Sequence, residues 1–327
     1  MSHYEVKISD SPDQSALVLQ QGGLVAFPTE TVYGLGADAQ NELAIKRIYL
    51  VKARPIHHPI IVHVSNTSLL SYWTKDIPNF AFKIAETFWP GPLTLILRKS
   101  KNVSNFITGF QDTVGIRIPS DPIATNLLNA FEKLGGHGVA APSANRFGKV
   151  SPTSTSAVVS ELGKYLSASD LILRGDYCSV GIESTIIDCT KSIPSILRPG
   201  QISAEMVEST LRIKVLSFNP NSSNISVKFS GSFDSHYAPK AEVFLERTPN
   251  PGDGFIAYAD LPTPDGVMRL ASPKNNSEYA RILYYALRLA DTRGLKKVVA
   301  MPALGSGIAE AINDRLRRAS NSTSPII

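Results

Sequence analysis

The sequence predicts an α/β protein of two unequal domains. Three observations carry that expectation. The chain has 327 residues, which at roughly 100–200 residues per domain suggests two. Short apolar runs alternate with stretches of helical spacing, as in a layered α/β fold with a mixed sheet. From about Leu211 the texture changes, and the polar, turn-rich stretch 218–229, with Asn219-Pro220-Asn221 inside it, separates a first α/β pattern from a second.

Taken in order, Ser11-Pro12-Asp13-Gln14 is a helix start, with Ser11 as the cap and Pro12 in the first turn. Gly22-Gly23 stops that helix, and Leu24–Phe27 is a short buried strand. Helical spacing recurs over Glu42–Val51, Asn79–Phe88 and Ile123–Leu134. Strands are expected at Ile60–Val64, Leu93–Leu97, Val114–Ile118, Val139–Ala141, Leu171–Leu173, Thr185–Asp188 and Ile196–Arg198. Past the linker, strands are expected at Ala241–Leu245, Phe255–Tyr258, Val267–Leu270 and Lys297–Met301. Tyr279, Ile282, Leu283, Ala286, Leu287 and Ala290 form one helical stripe. Asn313–Arg318 closes a final helix whose Arg315, Arg317 and Arg318 read as a solvated basic face. The expected division is a first domain over 1–210, a linker over 211–240 and a second domain over 241–327.

Composition removes several classes. Hydrophobic residues make up 43% and charged residues 19%, which excludes a long disordered tail or a coiled coil. Two cysteines, Cys178 and Cys189, exclude a disulfide scaffold or a cysteine-rich zinc module. No run approaches the roughly 20 apolar residues of a membrane span. Met1–Lys7 carries Glu5 and no apolar core, so no secretory leader and a cytoplasmic location are expected. The net charge of +5 leans mildly toward phosphate-bearing partners.

The segment Phe27-Pro28-Thr29-Glu30-Thr31-Val32-Tyr33-Gly34-Leu35-Gly36 leaves the carboxyl end of a strand, where open α/β folds bind ligands. Its hydroxyls and backbone amides suit a small polar or anionic ligand. The plainer reading is a tight loop, with Gly34 and Gly36 there for positive φ. Lys52-Ala53-Arg54-Pro55 ends a helix, where cations complement the dipole, and on a rigid turn the pair also suits a phosphate clamp. His57 and His58 lack the spaced neighbours of a zinc site. On the strand Thr113-Val114-Gly115-Ile116-Arg117, Thr113 and Arg117 share a face. Arg117 is then either paired with a buried carboxylate or aimed at a ligand. Ser143 and Asn145 follow another strand, and Ser151-Pro152-Thr153 reads as a helix start with Ser151 as its cap. No common phosphate loop, nucleophile elbow or catalytic triad order is present. The residues themselves point to a phosphate- and hydroxyl-lined pocket without naming a reaction.

The ordered motifs resemble the threonylcarbamoyl-AMP synthase family with its YrdC-like domain. They are Pro28-Thr29-Glu30-Thr31-Val32-Tyr33-Gly34-Leu35-Gly36, Lys52-Ala53-Arg54-Pro55, His58-Pro59-Ile60-Ile61-Val62-His63, Trp89-Pro90-Gly91-Pro92-Leu93-Thr94, Pro142-Ser143-Ala144-Asn145, Ser151-Pro152-Thr153, Glu183-Ser184-Thr185 and Leu197-Arg198-Pro199-Gly200. The resemblance covers about residues 10–210, and the remainder looks like the second domain of the family's long form. It implies a YrdC-like twisted mixed sheet with helices and a smaller, Rossmann-like α/β domain. It also implies synthesis of L-threonylcarbamoyladenylate from L-threonine, bicarbonate and ATP, with Mg2+ carried on the ATP phosphates and no protein metal site. A downstream tRNA-modifying transferase would take the product; direct tRNA contact is secondary. An RNA-binding module is the alternative, against which stands the lack of interleaved aromatic and basic residues.

By the same resemblance Thr29, His63, Arg117 and Ser184 are the threonine-binding residues. Lys52 and Arg54 are the catalytic pair at the phosphates, and Thr113, Ser143, Asn145, Ser151, Arg198 and His236 complete the ATP contacts. His236 lies in Ser235-His236-Tyr237-Ala238-Pro239, which is similar to the family's lid segment. Ser230-Gly231-Ser232 and Ser235 replace the family's Pro-Gly-Met and basic residue there, which weakens the expected contribution of the lid to phosphate binding.

Overall fold

A computed structural model describes residues 6–218, 227–229 and 237–320. A twisted ten-stranded mixed sheet runs through the first domain. Its strands are β1 (Lys7–Ser9), β2 (Val25–Phe27), β3 (Gly34–Asp38), β4 (Val62–His63), β5 (Leu93–Arg98), β6 (Thr113–Arg117), β7 (Val139–Ala140), β8 (Leu171–Leu173), β9 (Thr185–Asp188) and β10 (Ser195–Arg198). Their order is β1-β8-β2-β3-β7-β4-β6-β5-β9-β10. The second domain holds β11 (Glu242–Leu245), β12 (Gly254–Ile256), β13 (Met268–Ala271) and β14 (Lys297–Ala300), ordered β11-β14-β12-β13 and parallel throughout.

Strong periodicity located most elements to within a residue or two. Ser11 caps the helix Pro12–Gln20, its hydroxyl accepting from the Gln14 amide at 3.2 Å. The helix Glu42–Lys52 ends on Ala53 in the left-handed region, φ 48°, and this turn sends Arg54 away from the helix axis. Two strands escaped the sequence reading. β1 is a three-residue edge strand with a lysine and a serine. β3 is Gly-Leu-Gly-Ala-Asp, a composition that weakens strands.

β3 also corrects the reading of its glycines. Gly34 and Gly36 do not have positive φ; they pair with Phe27 and Val25 of β2. A Cβ on Gly36 would stand 2.7 Å from Val139 Cγ1 and 2.9 Å from Phe27 Cε1. Close approach of neighbouring side chains requires glycine there.

The final helix, Ile308–Ser320, is the second correction. Its basic face is solvated only at Arg317, whose side chain is 40% exposed; Arg315 is fully buried and Arg318 is 7% exposed. Asp314 gathers all three arginines, with Arg315 Nη1 at 2.9 Å, Arg317 Nη2 at 2.8 Å and Arg318 Nε at 3.1 Å. Asp314 is on the same helix, and Arg315 reaches across to the first domain, at Glu183. The domains share one apolar cluster, in which Val32, Val150 and Ile182 of the first pack with Tyr237, Tyr284 and Leu316. Among the described residues no helix is long and apolar enough to cross a membrane.

Candidate active site

β2 delivers its chain end into a turn closed by one hydroxyl. Thr29 Oγ1 donates to the Val32 carbonyl at 2.7 Å and accepts from the Thr31 and Val32 amides at 3.2 and 3.3 Å. Such side-chain-to-backbone bonds replace a ladder where the strand stops. Thr31 Oγ1, 2.9 Å from that of Thr29, accepts from Arg117 Nη1 at 2.8 Å. Arg117 also meets Glu30, Nη2 to Oε1 at 2.8 Å, with both side chains buried. The two alternatives the sequence left open are both met, since Arg117 pairs with a buried carboxylate and also lines the cavity described next. The pair is close but off hydrogen-bond direction, and Arg117 Nε, both Glu30 oxygens and His63 Nδ1 have no hydrogen-bond partner among the described residues.

One cavity gathers Thr29, Arg54, His63, Arg117, Ser143, Ser184 and Arg198. Seven of the residues singled out in the sequence therefore converge from β4, β6, β10 and the loops beside them. Ser184 Oγ lies 2.8 Å from Thr94 Oγ1 and accepts from Arg198 Nη2 at 3.1 Å, while the Ser184 carbonyl accepts from Arg198 Nε at 3.0 Å. Arg54 Nη2 donates to the Pro59 carbonyl at 2.9 Å. Burial lowers the Arg54 guanidinium to about 10 and lowers that of Arg198 as well.

Four expected contacts stand elsewhere. Lys52 is 1% exposed and lies behind the wall, its ammonium donating to the Ser143 carbonyl at 2.5 Å and to that of Asn145. Burial, and after it the charge of Arg54, holds its amine well below the usual lysine range. Asn145 is buried too, its amide donating to the Arg146 and Lys149 carbonyls at 2.8 Å. Ser151 caps no helix: the helix Thr155–Leu162 is capped by Ser154, and Ser151 donates to Glu183 Oε1 at 2.7 Å. Thr113 borders a smaller neighbouring cavity with Ile61, Lys228 and Phe229. His236, Ser235 and Ser230 to Ser232 lie outside the described residues.

Two polar lining residues escaped the sequence reading of the site, Glu183 and Tyr237, while Thr31 supplies the second hydroxyl of the loop expected to hold a ligand. Glu183 joins the domains, with Oε2 accepting from Tyr284 at 2.8 Å and from Arg315 Nε at 3.0 Å. Burial pushes its carboxyl up, yet Arg315, Arg198 and the bonds from Ser151 and Tyr284 outweigh burial and hold it at about 2. Tyr237, at φ 63°, stacks on Tyr284 at 5.6 Å and lies 5.4 Å beneath Arg315. The only sequence sign of either was membership in a motif. The cavity holds about 50 Å³ of solvent space, well below the roughly 300–1,000 Å³ of ligand pockets, and Tyr237 forms part of its wall.

Burial, then the charge of Arg117, lowers His63 from 6.5 to about 3. The folded state thus keeps His63 neutral where the unfolded chain takes up a proton, so stability present above pH 6.5 is lost as pH falls toward 3. We expect His63→Gln to flatten the fall of unfolding free energy between pH 6.5 and pH 4, measured by urea titration. An unchanged slope would exclude His63 as its source.

Two family models cover the chain. The Sua5–YciO–YrdC model, whose description is telomere recombination, matches residues 17–200, and the model for the C-terminal domain of threonylcarbamoyl-AMP synthase matches residues 202–321. The threonylcarbamoyl-AMP synthase of Pyrococcus abyssi is 38% identical over 92% of each chain. That of Bacillus subtilis is 34% identical over 94% of this chain and 92% of its own. The crystal structure of P. abyssi Sua5 complexed with L-threonine superposes with a TM-score of 0.85 at 37% identity, covering 95% of this chain and 94% of that one. With both models in sequence order and relatives matching almost end to end, the chain belongs to the threonylcarbamoyl-AMP synthase family.

Proposed function

We propose that the protein is an enzyme that makes L-threonylcarbamoyladenylate and pyrophosphate from L-threonine, bicarbonate (or carbon dioxide) and ATP. The product would feed N6-threonylcarbamoyladenosine formation in tRNA through a separate transferase in the cytoplasm. The observation that carries this reading is the convergence of Thr29, Ser184 and Arg117 with Arg54 and Arg198 on one cavity. The P. abyssi relative, bound to L-threonine, supports the amino-acid end. Residues 1–210 would form the catalytic unit, 211–240 the linker and lid, and 241–327 the unit that anchors it.

The threonine amine condenses with bicarbonate to a carbamate with loss of water (or adds to carbon dioxide with loss of a proton), and a carbamate oxygen attacks the α-phosphorus as pyrophosphate leaves. In our reading Arg117 and His63 hold the threonine carboxylate end, while Thr29 and Ser184 orient its polar groups. Arg54 and Arg198 offset charge on the phosphates, and Ser143 adds a hydroxyl. Lys52 acts from behind, holding the elbow that carries Ser143. Thr113, Asn145, Ser151 and His236 complete the nucleotide end by shaping it. Catalysis is then positioning and charge neutralisation in a water-poor site. It needs no protein nucleophile, and Cys178 is unsuited to be one, its thiol pushed up to about 12 by burial.

Magnesium enters as MgATP, on the substrate's own phosphates. Of the carboxylates, Glu183 lines the cavity and is already held by Ser151, Tyr284 and Arg315. With Tyr237 in the wall, ATP entry requires the 237–240 segment to move, which makes it a gate. Incubating the protein with L-threonine, bicarbonate and MgATP should release pyrophosphate only when threonine is present. No threonine-dependent release by folded protein would remove this function.

A further inference from the structure

A second cavity, of about 300 Å³, lies where the first domain, the end of the linker and the second domain's helix Asn276–Thr292 meet. Five cations line it, Arg146, Lys149, Lys164, Lys240 and Arg288, against the carboxylates of Glu161 and Asp291. Both carboxylates are engaged. Glu161 takes Arg288 Nη1 at 3.3 Å and the Arg146 amide at 3.2 Å, and Asp291 takes the Lys240 and Ala241 amides at 2.8 and 3.1 Å. Among the described residues Lys149, Lys164 and Lys240 have no ion-pair partner, and Arg288 Nε is buried without a hydrogen-bond partner. The three lysines are exposed and the Arg288 Nε donor is buried, so the cavity carries a net positive field that an anion inside it would offset.

We propose that this junction is a regulatory site for a small phosphate-type anion, such as phosphate or diphosphate. A nucleic-acid backbone would bring the same chemistry, but the cavity favours the small ion. Its volume is at the lower end of ligand pockets. The aromatic ring at its edge, Tyr165, is already faced by Arg146 at 4.4 Å and Lys164 at 5.0 Å, so it is not offered to a stacking base. Occupancy has a mechanical consequence. The Ala238 amide donates to the Gly148 carbonyl at 3.1 Å, beside Lys149 and two residues before Lys240, and its neighbour Tyr237 lines the first cavity. An anion bridging Lys149 and Lys240 holds Tyr237 inward. The binding site stands on its own residues; the effect on closure rests on the gating role proposed above.

The test is calorimetric titration of the full chain with inorganic pyrophosphate in the absence of magnesium, with amide hydrogen exchange read over 237–241. Wild-type protein should show two binding sites and slowed exchange in that segment. Lys149→Gln/Lys240→Gln should weaken one site by about tenfold or more and abolish the added protection. Equal stoichiometry, affinity and protection in the two proteins would overturn the proposal. So would a response matched by sulfate at equal ionic strength, which is screening alone, or protection by a short single-stranded RNA without protection by pyrophosphate. Loss of the other site with this one intact would instead count against the proposed catalytic cavity, so the two failures are distinguishable.

Discussion

Arg315→Ala is expected to give the largest loss of stability of any single substitution in this protein. Arg315 is fully buried, 3.0 Å from Glu183 and 2.9 Å from Asp314. Removing one partner of a buried ion pair costs about 3–5 kcal/mol, because the remaining charges keep their desolvation cost without compensation. For a chain of this size that is a fall in melting temperature on the order of 10 °C. Turnover should fall with it, since Glu183 precedes Ser184 and Arg315 covers Tyr237.

The acid limb supplies an independent readout. In the wild type the depressed Glu183 carboxyl, at about 2 against an ordinary 4.5, stabilises the fold above pH 4.5, and that contribution is lost as pH falls toward 2. Without Arg315, burial is opposed by fewer charges and the folded carboxyl rises, so acid unfolding should begin at higher pH. Arg315→Lys should restore part of the stability, since it keeps the charge but not the planar fork. An Arg315→Ala protein with wild-type melting temperature and acid limb would show that the interface does not depend on this contact.

Lys52→Ala should reduce pyrophosphate release at least a hundredfold while also destabilising the fold. Its ammonium satisfies the carbonyls of Ser143 and Asn145. Deleting it leaves two buried acceptors unpaired, at about 1–3 kcal/mol each, and frees the elbow that aims Ser143 into the cavity. A misplacement of roughly 1 Å in a positioning group can cost 10²-fold in rate. Arg54→Ala is the contrasting case, because Arg54 itself lines the cavity. It should lower turnover with a smaller change in melting temperature. If Lys52→Ala instead kept the wild-type melting temperature and lost only turnover, Lys52 would act on substrate directly, and its role as a support would be wrong.

The fold was legible wherever one period dominated. Asn79–Phe88, Leu171–Leu173 and Thr185–Asp188 fall where spacing put them, the helix because it buries one apolar face and the two strands because they are buried at every residue. β3 was not legible, since Gly34 and Gly36 look like loop residues until Phe27 and Val139 are seen to fill the space a Cβ would need. Ser151 shows the same limit on the polar side. Ser-Pro is a sound local helix start, yet its hydroxyl is used across 32 residues of sequence by Glu183, and the cap passes to Ser154. A local rule yields to a buried carboxylate that needs a donor.

By itself the sequence determined the α/β class, the polar stretch between two patterns, and the residue types around the pocket, since these rest on composition, period and short-range spacing. The tertiary structure alone decided which residues face the cavity and which stand behind it. Thr29 and Arg117 share a site because β2 and β6 are brought into one sheet, and Lys52 stands behind the wall because its ammonium meets the Ser143 and Asn145 carbonyls. Of three arginines that read as a solvated face, Arg315 became the joint between the domains, through Glu183. The physical reason is the same throughout: periodicity encodes burial, whereas the partner that compensates a buried charge is chosen only when distant segments meet.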